Sequence, residues 1–230
     1  MLTTSEIFKR YEEIKPRMPQ AQISKNVRDI KDLTEIVKSA EAFVFDAFGV
    51  LNVGDTLIRG ADLRIRQLRS LGCEIRILTN AASYDRSRSI DKFLRLGLEI
   101  EEKEIITSRE AAILGLTTGL WGVIAANEDH LNDIKVDYLH LGVNSNDYDR
   151  VEGFLFLSSS NWNEAKQEIL KESLLNHNRP VIIANPDLVA PRNNGFSMEP
   201  GHFGHLLADS GVKNIRFFGK PFPEVYDLVE

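Results

Sequence analysis

One aspartate follows an apolar run, a position at which a carboxylate could do chemistry. Residues 43–45 are hydrophobic, Asp46 comes directly after them, and Gly49 follows three residues later. The run predicts a buried parallel strand, and open α/β sheets bind ligands at the carboxyl ends of their strands. A carboxylate needs no partner base to act as a nucleophile, so Asp46 could attack an electrophile once positive charge offsets an anionic substrate. The alternative is a core strand whose aspartate caps a turn.

Two further apolar segments end in polar side chains. One ends in Thr79 and Asn80, and the other ends in Gly219 and Lys220. A doubly wound sheet would bring these strand ends to Asp46. The aspartate would then supply a nucleophile, Thr79 and Asn80 would supply hydrogen bonds, and Lys220 would supply positive charge. We therefore predict a site that binds a phosphoryl group and attacks it.

The order of these segments resembles motifs I, II and III of the haloacid dehalogenase (HAD) superfamily. The closer similarity is to class IIA of that superfamily, the NagD-like phosphatases. It rests on residues 59–61, 79–83 and 184–187. The resemblance runs from about residue 41 to the end of the chain, and the three motifs in order are more specific than any one of them.

The predicted elements agree with the fold that this resemblance implies, a Rossmann-like α/β parallel-sheet core with an inserted α/β cap of the C2 type. Residues 41–109 alternate strands and helices, which favours a parallel sheet. Residues 110–195 contain strands and a helix of their own. We expect a HAD core at 41–109 and 196–230, a cap at 110–195, and a helical N-terminal extension at 1–40 that packs against the core.

The resemblance also implies roles for the site residues. Asp46 would form an aspartyl-phosphate, Thr79 would hold a phosphate oxygen with Asn80 beside it, and Lys220 would balance the charge. Family members use a magnesium ion that bridges the nucleophile and the phosphate. Here that ion would be bound by Asp46 and by the backbone carbonyl of Phe48, and it would keep several waters.

Three more residues are candidates for substrate binding. The resemblance places Asp187 near the cleft, with Asn185 close to it, although both could instead turn the chain through side-chain hydrogen bonds. Gly49 permits a loop geometry in which backbone amides point at an anion.

Two departures from the family pattern affect the expected activity. Family phosphatases have a second aspartate, a general acid and base, where this chain has Phe48, and losing such help costs about 10²–10⁴ in rate. Dehalogenase members also have an aromatic residue there. No acidic motif IV follows Lys220 before the chain stops, so we expect either a fragment of a longer protein or a truncation with an impaired metal site. The short helical segment from Pro223 favours the fragment.

Composition limits the class of protein. The chain has 230 residues, of which 43% are hydrophobic and 27% charged, as in an ordinary globular protein. A net charge of −6 argues against a general nucleic-acid binder. A single cysteine, Cys73, fits a reducing cytoplasm, and neither a spanning apolar run nor a secretory signal is evident. The expected partner is a small phosphorylated substrate, with no nucleic acid or membrane, and a homodimer is plausible by resemblance.

Two other functions stay open. Phe48 and the missing acidic motif suit a catalytically weak or inactive phosphate-binding or regulatory protein. Phe48 also permits a metal-independent haloacid dehalogenase-type hydrolase, although the cap pattern argues against it. Of the remaining polar groups, we expect His202 and His205 to be packing or surface residues, and the acidic residues at 129–133 to form a surface turn.

Overall fold

Helices and strands alternate along most of the chain in this computed structural model, which describes residues 3–21, 27–192 and 195–229. Parts of the predicted N-terminal extension, residues 1–2 and 22–26, lie outside these ranges. The helices are α1 (Thr4–Ile14), α2 (Ala61–Ser70), α3 (Arg86–Arg95), α4 (Ser108–Leu114), α5 (Ser145–Asp149), α6 (Glu164–Asn176) and α7 (Pro200–Asp209). Short 3₁₀ helices cover Lys15–Arg17, Leu33–Ser39, Glu102–Glu104 and Pro223–Val225.

The strands form two parallel sheets and two small antiparallel pairs. They are β1 (Ala42–Phe45), β2 (Asn52–Val53), β3 (Thr56–Leu57), β4 (Glu74–Thr79), β5 (Ile105–Thr107), β6 (Trp121–Ile124), β7 (Tyr138–His140), β8 (Gly153–Phe156), β9 (Val181–Ile183), β10 (Val189–Arg192), β11 (Gly195–Met198) and β12 (Ile215–Phe217). One parallel sheet has the order β1-β4-β5, and the other has the order β12-β9-β8-β6-β7. The predicted α/β class with a parallel sheet is thus confirmed.

The strand before Lys220 does not pair as the sequence suggested. We expected it in one doubly wound core sheet with β1 and β4, but β12 pairs with β9, with Phe217 opposite Ile183. The strands β9 and β12 are therefore neighbours in the sheet, and the segment that connects them along the chain contains the β10–β11 hairpin and α7. A strand of the predicted C-terminal core thus shares a sheet with strands of the predicted cap, and the division into core and cap remains a prediction.

Three buried clusters stabilise this arrangement. One contains residues of both sheets, such as Leu78 of β4 and Leu155 of β8, so the two sheets share a core. A second cluster includes Phe154 and Phe156 of the five-stranded sheet, and the third includes Ile75 and further residues of the three-stranded sheet. Burial of these apolar side chains is the main favourable contribution to folding.

A buried arginine also joins the two sheets. Arg109 of α4, which follows β5, donates to Asp129 and Asp133, which follow β6, at 2.7–2.8 Å. It also donates to the carbonyls of Ala82 and His130, so all five N–H groups of its guanidinium are used. Arg109 and the side chain of Asp129 are almost fully buried. The expectation of a surface turn at 129–133 is therefore wrong for Asp129.

The N-terminal helix begins and packs as its sequence indicates. Thr3 and Glu6 form the capping box that starts α1, and Ile7 and Ile14 are buried. Arg17, just beyond the helix, pairs with Asp209 at the end of α7 at 2.7 Å. Among the described residues, no helix combines the length and the apolar character needed to cross a membrane.

Candidate active site

The carboxylate and the ammonium predicted to meet are in direct contact. Lys220 Nζ donates to Asp46 Oδ1 at 2.6 Å and to the carbonyl of Leu78 at 2.6 Å. Asp46 comes directly after β1, and Lys220 comes three residues after β12, so the ion pair joins strand ends of two different sheets. The side chain of Asp46 is 45% exposed and that of Lys220 is 23% exposed. A ligand can therefore reach both groups from solvent.

The loop after Asp46 leaves one carboxylate oxygen open. The amide of Ala47 donates to Oδ1 at 2.7 Å, so within the described residues both hydrogen bonds to this side chain end on Oδ1. Gly49 adopts a φ of +84°, which favours glycine. Its own amide donates to the Asn52 carbonyl at 2.8 Å. Gly49 therefore closes the turn, and its own N–H is used within the loop.

Asn80 positions its neighbours. Its Nδ2 donates to Asp187 Oδ1 at 3.0 Å and to the Lys220 carbonyl at 2.9 Å. Its Oδ1 accepts from the Lys220 amide at 2.7 Å. The sequence predicted that Asn80 would donate a hydrogen bond to the phosphate. Because both of its amide hydrogens already have partners, the geometry does not favour that direct contact. Asn80 instead links the loop after β4 to the lysine loop and to Asp187.

Thr79 keeps a hydroxyl hydrogen for a ligand. In the β1–β4 register Phe45 is opposite Ile77, which places Thr79 just beyond Asp46 along the sheet. The side-chain oxygen of Thr79 accepts from the Ala81 amide at 3.2 Å. That bond uses an acceptor position only, so the O–H can still donate to an oxyanion.

Asn185 and Asp187 lie together beyond β9. The Asn185 side chain accepts from the Asp187 amide at 3.0 Å and donates to Glu199 at 3.3 Å. Burial raises the pKa of the Asp187 carboxyl to about 6, against the opposing hydrogen bond from Asn80 and the charge of Lys220. Asn185 therefore has the turn-forming role considered from the sequence, whereas Asp187 combines a titratable carboxyl with a place beside the ion pair.

The approach of the two sheets requires glycine at 219. Gly219 has a φ of +107°, and a Cβ there would lie 2.7 Å from the side-chain oxygen of Asn80 and 2.9 Å from Cδ of Pro186. A larger residue would push the lysine loop away from the loop after β4.

One site neighbour escaped the sequence reasoning. The hydroxyl of Tyr11 accepts a hydrogen bond from the Leu188 amide at 3.1 Å, so the N-terminal helix reaches the loop that bears Asp187. Burial raises the pKa of the Tyr11 hydroxyl, and the charge of Asp187 adds to that effect. The helical spacing of Ile7, Tyr11 and Ile14 indicated packing but could not indicate this contact.

The donors for a metal ion are few. Within the described parts of the chain, no group of three or more His, Cys, Asp or Glu side chains is arranged to hold a metal. The open Oδ2 of Asp46 and the backbone carbonyl of Phe48 are oxygen donors of the kind that Mg²⁺ prefers, and this ion commonly takes one or two carboxylates with waters and substrate phosphate. The residues present therefore fit a magnesium ion held mainly through Asp46.

Comparison with known proteins agrees with this geometry. The family model described as haloacid dehalogenase-like hydrolase matches residues 43–130. Phosphoglycolate phosphatase 1A, chloroplastic, of Arabidopsis thaliana is 34% identical over 85 residues, which are 37% of this chain and 24% of that protein. The chain thus spans about a quarter of the length of that relative. A 4-nitrophenylphosphatase of Schizosaccharomyces pombe is 23% identical over 90% of this chain and 77% of its own length.

Solved structures share the fold. A possible sugar phosphatase of the HAD superfamily from Cytophaga hutchinsonii superposes with a TM-score of 0.75 at 22% identity, covering 87% of this chain and 74% of that one. The fold and the strand-end site define an α/β protein of the haloacid dehalogenase type. Residues 43–130 thus match the haloacid dehalogenase-like hydrolases, and the chain resembles the NagD-like class of that superfamily in its fold, in line with the resemblance of the three motifs.

Proposed function

We propose that this chain is a phosphatase that acts on a small phosphorylated metabolite through an aspartyl-phosphate on Asp46. The observation that carries this proposal is the 2.6 Å contact between Lys220 Nζ and Asp46 Oδ1 at an open strand-end site. An ammonium beside a carboxylate offsets the repulsion that an incoming phosphate dianion would meet. The phosphatase names of the relatives support the same reaction class.

The chemical step uses groups already in place. An oxygen of Asp46 forms a bond to phosphorus while the bond from phosphorus to the leaving oxygen breaks. Lys220 and the hydroxyl of Thr79 stabilise the charge on the phosphoryl oxygens. Water then attacks phosphorus, which releases inorganic phosphate and restores the Asp46 carboxylate. Asn80 acts through its hydrogen bonds to the lysine loop and to Asp187, so it is a positioning residue.

Magnesium would strengthen the site without changing these roles. Asp46 and the Phe48 carbonyl would hold the ion, which when bound neutralises phosphate charge and helps to orient the phosphoryl group. Chelation of the metal should therefore reduce the rate, and the direct contact between Lys220 and Asp46 should remain.

The unusual part of this mechanism is the source of the proton for the leaving group, because residue 48 is phenylalanine. Phenylalanine cannot protonate a leaving oxygen, so we expect the best substrates to have good leaving groups, such as acyl or aryl phosphates. We assign the remaining acid role to Asp187, because burial raises its pKa to about 6, closer to the working pH of a general acid than an ordinary carboxyl, and because Asn80 connects it to the lysine loop. An Asp187→Asn variant should then lose more activity on an alkyl phosphate than on p-nitrophenyl phosphate. Equal losses would remove the acid role from Asp187.

The first test is the nucleophile itself. Phosphate release from p-nitrophenyl phosphate with Mg²⁺ should fall by about four orders of magnitude or more in Asp46→Asn, as expected for a lost nucleophile. Asp91→Asn removes an exposed carboxylate on α3 and serves as the matched control. Activity that survives in Asp46→Asn would overturn the proposal.

The two other functions have distinct readouts. A phosphate-binding regulatory protein, favoured by Phe48, would bind phosphate but show no turnover that depends on Asp46. A dehalogenase would release halide from a 2-haloacid in the presence of EDTA, because that reaction needs no metal. Measuring both beside the phosphatase assay separates the three.

Location and assembly belong to the same proposal. Cys73 is buried and unpaired within the described residues, which suits a reducing cytoplasm. By resemblance we propose a homodimer, which sedimentation of the purified chain would test.

A further inference from the structure

A pocket lies at the carboxyl ends of strands of the five-stranded sheet, the sheet whose strand β12 precedes Lys220. It has a volume of about 140 Å³ and sits where β6, β7 and β8 end. The chain runs from β6 to β7 and then to β8, yet β6 lies between the other two in the sheet. The connections from β6 and from β8 therefore leave in opposite directions along the sheet. Such a topological switch point is where open α/β sheets bind ligands.

The lining of this switch-point pocket is polar and has no carboxylate. Its polar and aromatic side chains are those of Asn127, His140, Ser158, Asn161, Trp162 and Lys166. Drug-sized ligands occupy about 300–1,000 Å³, so the volume suits a molecule of only a few heavy atoms. An ammonium among amides and a hydroxyl, with no acid in the lining, favours a small anion.

Local hydrogen bonds hold several of these groups ready. Lys166 Nζ donates to the Asn161 carbonyl at 2.6 Å, which keeps the ammonium at the pocket. The side-chain oxygen of Asn161 accepts from the Asn127 amide at 3.0 Å, so the Asn161 Nδ2 hydrogens are left for a ligand. The indole of Trp162 packs edge-on against Phe156, with the ring centroids 5.0 Å apart. This contact fixes an aromatic wall beside the polar groups.

The loop that lines this pocket is connected to the Asp46 site. Ser159, between Ser158 and Asn161, donates to the Met198 carbonyl at 2.5 Å. The next residue, Glu199, accepts from Asn185, and Asn185 in turn accepts from the Asp187 amide. A ligand that shifts the Ser158–Asn161 loop would therefore act on the loop that carries Asp187.

We propose that the switch-point pocket is a binding site for a small oxyanion, either a short carboxylate or a phosphate, separate from the Asp46 site. Binding there does not depend on the proposed phosphatase activity. Its effect on that activity does, because it would pass through Asp187.

The test uses the fluorescence of Trp162, one of two tryptophans in the chain. The protein is titrated with potassium phosphate and, separately, with sodium acetate and sodium malonate, at constant ionic strength. Asp46→Asn is titrated in parallel, so that binding at the Asp46 site can be recognised. We expect a saturable change with at least one of these anions in both proteins, and no change in Trp162→Phe. The anion that saturates at the lowest concentration distinguishes a phosphate site from a carboxylate site.

Matched lysine variants on α6 complete the test. Lys166→Met should weaken binding about tenfold or more, because it removes the ammonium group of the lining. Lys171→Met, whose side chain pairs with Glu168 outside the pocket, should leave the titration unchanged. Equal binding in both variants, loss of the signal in Asp46→Asn, or no saturable change with any of the anions would each overturn the proposal.

Discussion

The two parallel sheets contribute to the candidate active site in opposite ways. The inner strands β6, β8 and β9 of the five-stranded sheet are buried along their whole length, whereas its edge strands β7 and β12 are partly exposed. The three-stranded sheet ends in β1, where Val44 is 46% exposed. The first sheet supplies the ammonium of Lys220, and the second supplies the carboxylate of Asp46. Each group follows an edge strand of its own sheet.

This difference indicates that the site depends on how the sheets dock. Each sheet has a buried cluster of its own, and a third cluster is shared. The polar contacts of the site, by contrast, run from one sheet to the other through Lys220 and Asn80. A change that separates the sheets should therefore abolish activity before it unfolds either sheet.

The largest expected effect comes from cutting the buried ionic link between the sheets. Arg109→Met leaves the buried carboxylate of Asp129 without its partner, which typically costs about 3–5 kcal/mol of stability. Urea unfolding at pH 7 would measure the loss. Arg64→Met, which removes an exposed pair with Asp32, should cost no more than about 1 kcal/mol. A loss for Arg109→Met as small as that of the control would mean that the shared apolar cluster alone joins the sheets.

Removing the ammonium should act on catalysis more than on folding. In Lys220→Met we expect kcat/KM for p-nitrophenyl phosphate to fall about 10²–10³-fold, the usual cost of losing one preorganised charge-stabilising group. The melting temperature should change little, because the Asp46 side chain is 45% exposed. Lys213→Met, an exposed lysine near β12, is the control. Unchanged kcat/KM in Lys220→Met would contradict the role given to the contact between the sheets.

A buried histidine that packs on the five-stranded sheet should make the stability of the folded protein depend on pH in the acid range. His205 of α7 is fully buried and stacks on Phe217 of β12 with ring centroids 4.4 Å apart. Burial lowers its pKa from 6.5 to about 4, and the charge of Arg17 adds to the effect. Between those values the unfolded chain binds the proton and the folded chain does not, so stability falls as pH drops below about 6.5.

From pH 7.5 to pH 5 that loss should amount to about 2 kcal/mol. His205→Phe should flatten this part of the pH profile of unfolding, because the titrating group is gone. His177→Gln, which replaces an exposed histidine, should leave the slope as it is. An unaltered slope in His205→Phe would show that other groups cause the acid sensitivity.

The residue types of the site could be predicted from the sequence, because they follow apolar runs whose ends must be solvent-facing in an α/β sheet. The pairing of β12 could not be predicted, since an apolar run indicates burial but does not identify the neighbouring strand. The use of both Asn80 hydrogens and of the Gly49 amide depends on loop geometry that spacing does not encode. The burial of Asp129 was missed because its partner, Arg109, is 20 residues away in the chain.

The smallest expected effect is that of a substitution on the exposed edge of the three-stranded sheet. Val44→Thr changes a half-exposed position on the open edge of β1, and surface substitutions of this kind usually stay within about 0.5 kcal/mol. Leu155→Ala, a fully buried position of β8, should cost about 2–5 kcal/mol because it leaves a cavity in the shared cluster. Urea unfolding of both variants would measure the contrast. If Val44→Thr were as costly as Leu155→Ala, the edge of β1 would be covered in solution, and Asp46 would follow a strand that is as well buried as the inner strands of the five-stranded sheet.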